Sequence, residues 1–135
     1  MATFAWSVEY SVNIPTFDAQ HQKLFALIEQ LQNAMQRGQG RTVLSDLLSE
    51  LIRYTKDHFT AEERAMTTYG YPELKAHQGE HNKLKRQVFE FERDFKAGNI
   101  MISVELSSFL QDWLTQHILR SDKQYSAFLS GKGVR

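Results

Sequence analysis

Apolar residues recur at three- and four-residue steps along four stretches of the chain, and all five histidines fall on those stripes. Such spacing marks a helix with one buried face. The first stripe runs His21, Leu24/Phe25, Ile28, Leu31 and Met35, closed by RGQG at 37–40. The second runs Leu44, Leu47/Leu48, Leu51, Thr55, His58, Glu62 and Met66, closed by YGYP at 69–72. Leu74, His77, His81, Leu84, Val88, Phe91 and Phe95 form the third, with AGN after it. The fourth runs Ile102, Leu106, Phe109/Leu110, Trp113/Leu114 and His117, and continues toward Asp122. Asp18 and Ser103 are candidate N-caps of the first and fourth helices. Gly70 permits a helix stop, and Pro72 pre-shapes the first turn of the third helix. Short connections between four such helices predict an all-α, up-down-up-down four-helix bundle over about 18–129. Residues 1–17 read as an irregular arm packed through Phe4, Trp6 and Tyr10, and SGKGVR at 130–135 as a short, frayed C-terminal extension.

Composition removes several function classes. At 135 residues the chain is expected to be a single domain. Sixteen Lys and Arg balance sixteen Asp and Glu in alternation, so no basic field exists to hold nucleic acid or an anionic membrane. The absence of cysteine rules out disulfides, thiolate ligands and iron–sulfur centres. MATFAWSVEYSVNIP lacks the basic-then-apolar order of a secretion signal. No stretch approaches about eighteen uncharged apolar residues, so membrane insertion is not expected and cytoplasm is the default compartment. With zero net charge and no surplus apolar stripe, a monomer is expected.

The exceptions on the stripes carry the chemistry. One inward histidine is ordinarily a core residue satisfied by a hydrogen bond. Five, with none elsewhere, are hard to place that way, because each neutral imidazole buries a donor and an acceptor. Metal coordination resolves the difficulty: one ring nitrogen ligates and the other donates outward. HFTAE sets His58 and Glu62 four apart on one helix face, and HQGEH does so for His77 and His81. Gly79 between the latter two suggests a close neighbour, or is simply tolerated. In an up-down bundle all five histidines fall at one end, within roughly two turns of each other. Asp122, five residues past His117, stands about 140° round an ideal helix from it. It reaches the same region if the last turn is distorted.

Counting the ligands chooses the metal. Five histidines, Glu62 and Asp122 exceed what one tetrahedral zinc uses. With both carboxylates bridging two ions, the histidines divide three and two. One solvent-derived oxygen bridge then completes six ligands on one ion and five on the other, leaving an open position. Nitrogen and oxygen ligands without thiolate suit iron or manganese, and an open position on iron suits dioxygen chemistry. The chain has no Glu-x-x-His, so the carboxylate-rich oxygenase type of di-iron site cannot be built. A histidine-rich set supplies less negative charge, which favours reversible reduction of dioxygen to peroxide over oxygen insertion.

The order His21, HFTAE, HQGEH, then WLTQHILRSD resembles the hemerythrin family, in particular its bacterial single-domain members, over essentially the whole chain. That resemblance implies a four-helix bundle binding dioxygen at a non-heme di-iron centre with an oxo or hydroxo bridge. It implies His77, His81 and His117 on the six-coordinate iron, His21 and His58 on the iron with the open position, and Glu62 and Asp122 bridging. Oxygen carriage or storage is the leading expectation, with a protein partner for delivery compatible. The alternatives are a di-iron enzyme or sensor acting on peroxide or nitric oxide, and a metal-free or single-zinc structural bundle. Leu114 and Trp113 are expected to wall the oxygen pocket, with Phe25, Ile28 and Phe59 close to other ligands in the same way.

Overall fold

The computed structural model describes residues 6–38, 41–98 and 104–135. Helices α1 (Pro15–Gln36), α2 (Arg41–Tyr69), α3 (Leu74–Lys96) and α4 (Val104–His117) follow one another, and α4 passes through a π-helical turn, Ile118–Asp122, into α5 (Lys123–Gly131). The fourth rod of the bundle is therefore α4, the turn and α5 together. Among the described residues there is no strand, and no helix is long and apolar enough to cross a membrane. The expected up-down-up-down four-helix bundle is the architecture observed. α1 packs against α2 and α4, and α2 also meets α3 and α5.

The stripes become the core as their spacing requires. Leu24, Leu27, Ile28 and Leu31 of α1 are buried with Leu48, Leu51 and Ile52 of α2, Leu84 and Val88 of α3, and Leu110 and Leu114 of α4. Glycines end the helices where the chain must turn left-handed: Gly38, Gly70 and Gly98 have φ of 66°, 69° and 81°. Pro72 lies in the turn before α3 rather than in its first turn, because α3 starts at Leu74.

The structure departs from the sequence expectations at three further points. α1 begins at Pro15, whose fixed φ and missing N–H suit a first helical position, so Asp18 lies inside the helix and is not its cap. The Asp18 carboxylate turns back instead and accepts from the Val12 N–H at 2.8 Å and the Ser11 hydroxyl at 2.6 Å. It thus ties the arm, whose Val12 and Ile14 are fully buried, to the first turn of α1. The arm is not wholly irregular, since Val8–Tyr10 form a short 3₁₀ turn. Nor is the C-terminus frayed: Gly133 (φ 86°) folds it back, the Val134 N–H donates to the Leu129 carbonyl at 3.1 Å, and the Thr16 hydroxyl donates to the Arg135 main-chain oxygen at 2.8 Å. The proposed cap Ser103 and the arm residue Phe4 lie outside the described residues.

Asp18→Ala should leave the buried Val12 N–H without an acceptor and cost about 1–3 kcal/mol. Urea unfolding of wild type and variant checks this; an unchanged midpoint would mean the arm is held by packing alone.

Candidate metal centre

All five imidazoles and both carboxylates are buried at one level of the bundle, with side chains of at most 5% exposure. Each comes from a different turn of the frame. His21 is on α1, His58 and Glu62 face the same side of α2, His77 and His81 the same side of α3, and His117 ends α4. Gly79, between the two α3 histidines, is exposed and has no atom within 4 Å of where a Cβ would stand, so the close approach considered for it is absent.

Asp122 arrives through the π-turn. The Lys123 N–H bonds to the Ile118 carbonyl, five residues back, in place of the α-helical four. The wider turn cancels the angular offset of an ideal helix, and Asp122 Oδ1 comes to lie 3.1 Å from His117 Nε2.

The ligand-type atoms form two groups, each within 4.8 Å throughout: Glu62, His77, His81, His117 and Asp122 in one, and His21, His58, Glu62 and Asp122 in the other. Only the two carboxylates belong to both. Asp122 divides its oxygens between them, Oδ1 lying 3.0 Å from His77 Nε2 and Oδ2 3.0 Å from His21 Nε2. Glu62 Oε1 lies 3.3 Å from His58 Nε2 and 3.4 Å from His81 Nε2, while Oε2 is 3.5 Å from His21 Nε2.

Do these residues fit metal ions? Although several of these separations are short, His21 Nε2, His77 Nε2, Glu62 Oε1 and both Asp122 oxygens are buried without a hydrogen-bond partner. Unpaired buried polar atoms each cost about 1–3 kcal/mol, so a native core does not collect five of them at one point without a compensating cation. With metal–ligand bonds of roughly 2.1 Å, adjacent ligands of an octahedron stand about 3 Å apart, which is the spacing of the closest pairs here. The donor set fits.

Protons occupy this role when no metal does. Burial by itself lowers His21, His77 and His117, but the close negative charge of Asp122 and Glu62 outweighs it, raising the first two to about 9 and His117 to about 10. At His58 burial prevails over Glu62 and the pKa is lowered. Burial would raise Glu62 and Asp122, yet the surrounding imidazoles hold both carboxylates well below their usual range.

The outer ring of partners went unnamed in the sequence. His81 Nδ1 meets Glu63 Oε2 at 2.7 Å, His58 Nδ1 meets Gln20 Oε1 at 2.5 Å, and His117 Nδ1 is 3.7 Å from Glu80 Oε2, an ion-pair rather than hydrogen-bond distance. The Ser121 hydroxyl donates to Glu80 at 2.6 Å, and the fully buried Tyr125 donates its hydroxyl to Glu62 Oε2. Tyr125 could have been found: it lies three residues past Asp122, on the same side of the helix as the cluster. Gln20, Glu63 and Glu80 are sequence neighbours of ligand-type residues and carried no signal of their own.

A cavity of about 30 Å³ lies next to the cluster, lined among others by Leu24, Ile28, Thr55, Leu84, Trp113 and Leu114. Leu24, Thr55, Leu84 and Leu114 each stand three residues from a cluster histidine, so the cavity occupies the adjoining turn of the bundle. The Thr55 hydroxyl is committed to the Leu51 carbonyl at 2.7 Å, which leaves the lining apolar in effect. Of the five expected pocket residues, Ile28, Trp113 and Leu114 line this cavity, and Phe25 and Phe59 do not. The Phe59 ring is instead stacked flat on His81 (3.7 Å between centroids, 3°), and Phe25 packs edge-on against Tyr10. Trp113 also stacks on His117, at 4.4 Å and 13°.

A model of the hemerythrin HHE cation-binding domain matches residues 12–129. The chain belongs to the hemerythrin family. It is 33% identical over 131 residues to a bacteriohemerythrin of Methylococcus capsulatus, covering 96% of this chain and 99% of that protein. A bacteriohemerythrin of Clostridium acetobutylicum is 30% identical, with 90% and 98% covered. The crystal structure of a wild-type hemerythrin aligns with a TM-score of 0.92 at 32% identity, covering 96% of this chain and 99% of that one. Hemerythrins bind dioxygen at a di-iron centre, and the imidazole–carboxylate cluster of this member is able to hold such ions.

A pH dependence follows. Histidines whose folded pKa exceeds the unfolded value contribute stability that is complete below about 6.5 and lost as pH rises through the folded pKa. Without metal, the stability contributed by His21, His77 and His117 should therefore fall progressively between about pH 6.5 and pH 10. The carboxylates act oppositely, their contribution being lost as pH falls below the usual carboxylate range. Metal must displace those protons, so the loaded protein should keep its Tm across the same alkaline interval and apparent metal affinity should rise with pH. Melting curves of both forms from pH 7 to 10 test it, and parallel curves would show that the imidazoles hold no protons.

Proposed function

We propose that this hemerythrin binds dioxygen reversibly, for carriage or storage, and is a binding protein rather than an enzyme. His77, His81 and His117 would hold one iron and His21 and His58 the other, with Glu62 and Asp122 shared between them. The observation that carries this reading is the partition of the cluster into a three-imidazole and a two-imidazole group that have only the two carboxylates in common. Both carboxylates belong to each group, so the two-imidazole group offers one protein ligand fewer and would leave its ion a position for dioxygen. The iron pair, when bound, supplies the electrons that make dioxygen binding reversible.

The chain's own residues do the rest. The hydroxyl of Tyr125 fixes one oxygen of Glu62. Phe59 and Trp113 lie flat against His81 and His117, fixing two ring planes and excluding water from them. The cavity lined by Ile28, Trp113 and Leu114 offers space for a diatomic molecule but few partners for water, which needs two to four polar contacts to be held. A dry wall of this kind admits a small apolar gas and disfavours anions.

Metal analysis of protein purified from iron-replete cells should return two irons per chain, and loading should raise the Tm because binding favours the folded state alone. Zinc, or iron near one per chain, would refute the assignment. An absorption spectrum of the reduced protein should change in air and revert on degassing. Sedimentation at micromolar concentration should show a monomer.

Leu114→Ala should enlarge the cavity beside His117, admit water and accelerate loss of the oxygenated absorption band in air while both irons are retained. Should the variant keep its iron and decay no faster than wild type, Leu114 is ordinary core.

A further inference from the structure

The two imidazole groups differ in what stands behind them. His81 Nδ1 meets the carboxylate of Glu63 at 2.7 Å, and His117 Nδ1, buried without a hydrogen bond, has the carboxylate of Glu80 at the ion-pair distance of 3.7 Å. Behind the other group, His58 Nδ1 meets only the neutral amide oxygen of Gln20, and His21 Nδ1 is buried with no hydrogen-bond partner. Among the described residues, no carboxylate forms a hydrogen bond or ion pair with either of those two outer nitrogens.

An anion on the outer nitrogen makes the ring a stronger donor at the inner one and fixes its orientation. Within a poorly polarisable interior it also attracts a cation one ring away. Glu63 should act more strongly than Glu80, since its side chain is 20% exposed against 49% and its contact is shorter. Glu80 is nonetheless held in place by the Ser121 hydroxyl. The three-imidazole position therefore combines an extra ligand with two supporting charges. The two-imidazole position has neither.

Resting on the ligand assignment above, we propose that Glu63 and Glu80 order the filling of the centre: the three-imidazole position takes its cation first and releases it last. Gln20 is the counterpart on the other side. A neutral partner there leaves the two-imidazole position as the one that exchanges.

The test is an anaerobic titration of the apoprotein with Co²⁺, followed by calorimetry and visible absorption. Wild type should bind two ions in two resolved steps. Glu63→Gln keeps an acceptor for the His81 Nδ1–H and removes only the charge, so it should weaken the first step about 10- to 100-fold and leave the second nearly unchanged. Glu80→Gln should act in the same direction and less. Gln20→Glu should tighten the second step about tenfold, a gain that a poorly folded variant cannot imitate. In a His21→Ala background the second step should disappear while the effect of Glu63→Gln persists, which assigns the steps. Two ions bound without resolved steps, or a Glu63→Gln loss shared equally by both, would overturn the ordering and leave the ligand assignment standing. Fewer than two ions on wild type would remove both.

Discussion

Two buried carboxylates govern this molecule. Glu62 and Asp122 are both fully buried, and an ionised carboxylate can remain in a helical core only if opposite charge and well-placed donors surround it. Every rod of the bundle contributes to that surrounding: α1 through His21, α2 through His58, α3 through His77 and His81, and the fourth rod through His117 and Tyr125. The requirement sets the helix register. A slip of one residue along α2 would turn Glu62 about 100° away from the cluster and leave its imidazole partners without a counter-charge. Apolar packing further along the bundle tolerates volume-conserving rearrangement far more readily than this level does.

The hydrophobic part of the core is arranged around the same constraint. Phe59 and Trp113 are large apolar surfaces used as flat plates against imidazoles, so they contribute burial and ring orientation together. One turn further along, the lining becomes aliphatic and the packing leaves a small void. Empty cavities persist in proteins when their walls are apolar, because water finds no partners there. Polar density at the cluster and apolar looseness beside it are complementary: one holds cations, and the other keeps competing solvent away.

Much of this was legible in the chain. The bundle followed from apolar period, and the cluster from the coincidence of every histidine with an inward stripe, because a buried imidazole is costly enough that five cannot be accidental. Burial of His21, His58, His77, His81 and His117 is a matter of helical phase, which spacing reports directly. What spacing does not report is a break in phase. The π-turn at Ile118–Asp122 leaves one trace in the sequence, the five-residue step from His117 to Asp122 that a regular helix cannot bring to one face. Equally hidden were the partners reached across helices at the rim, such as Glu80 with Ser121, because charged residues on exposed faces are common and neighbours in space there leave no period. The folded-back C-terminus depends on a single left-handed glycine, and a Gly-rich end reads as loose when taken alone.

The place of the irregular turn follows from the division of labour among the helices. On α2 and α3, pairs four residues apart converge on one side of a regular helix, and each pair can serve the cluster without distortion. The fourth rod has a harder task. His117 belongs to one group only, whereas Asp122 must reach both, with one oxygen toward His77 and the other toward His21. A carboxylate four residues after His117 would sit directly beneath that histidine and on its group alone. Adding a residue advances the carboxylate along the axis, and the π-turn brings it back round to the interior, where its short side chain stands between the groups. Tyr125 then lies one turn further on the same face, close enough for its hydroxyl to reach Glu62 on α2. The distortion at the end of α4 is thus what lets one helix serve both halves of the centre.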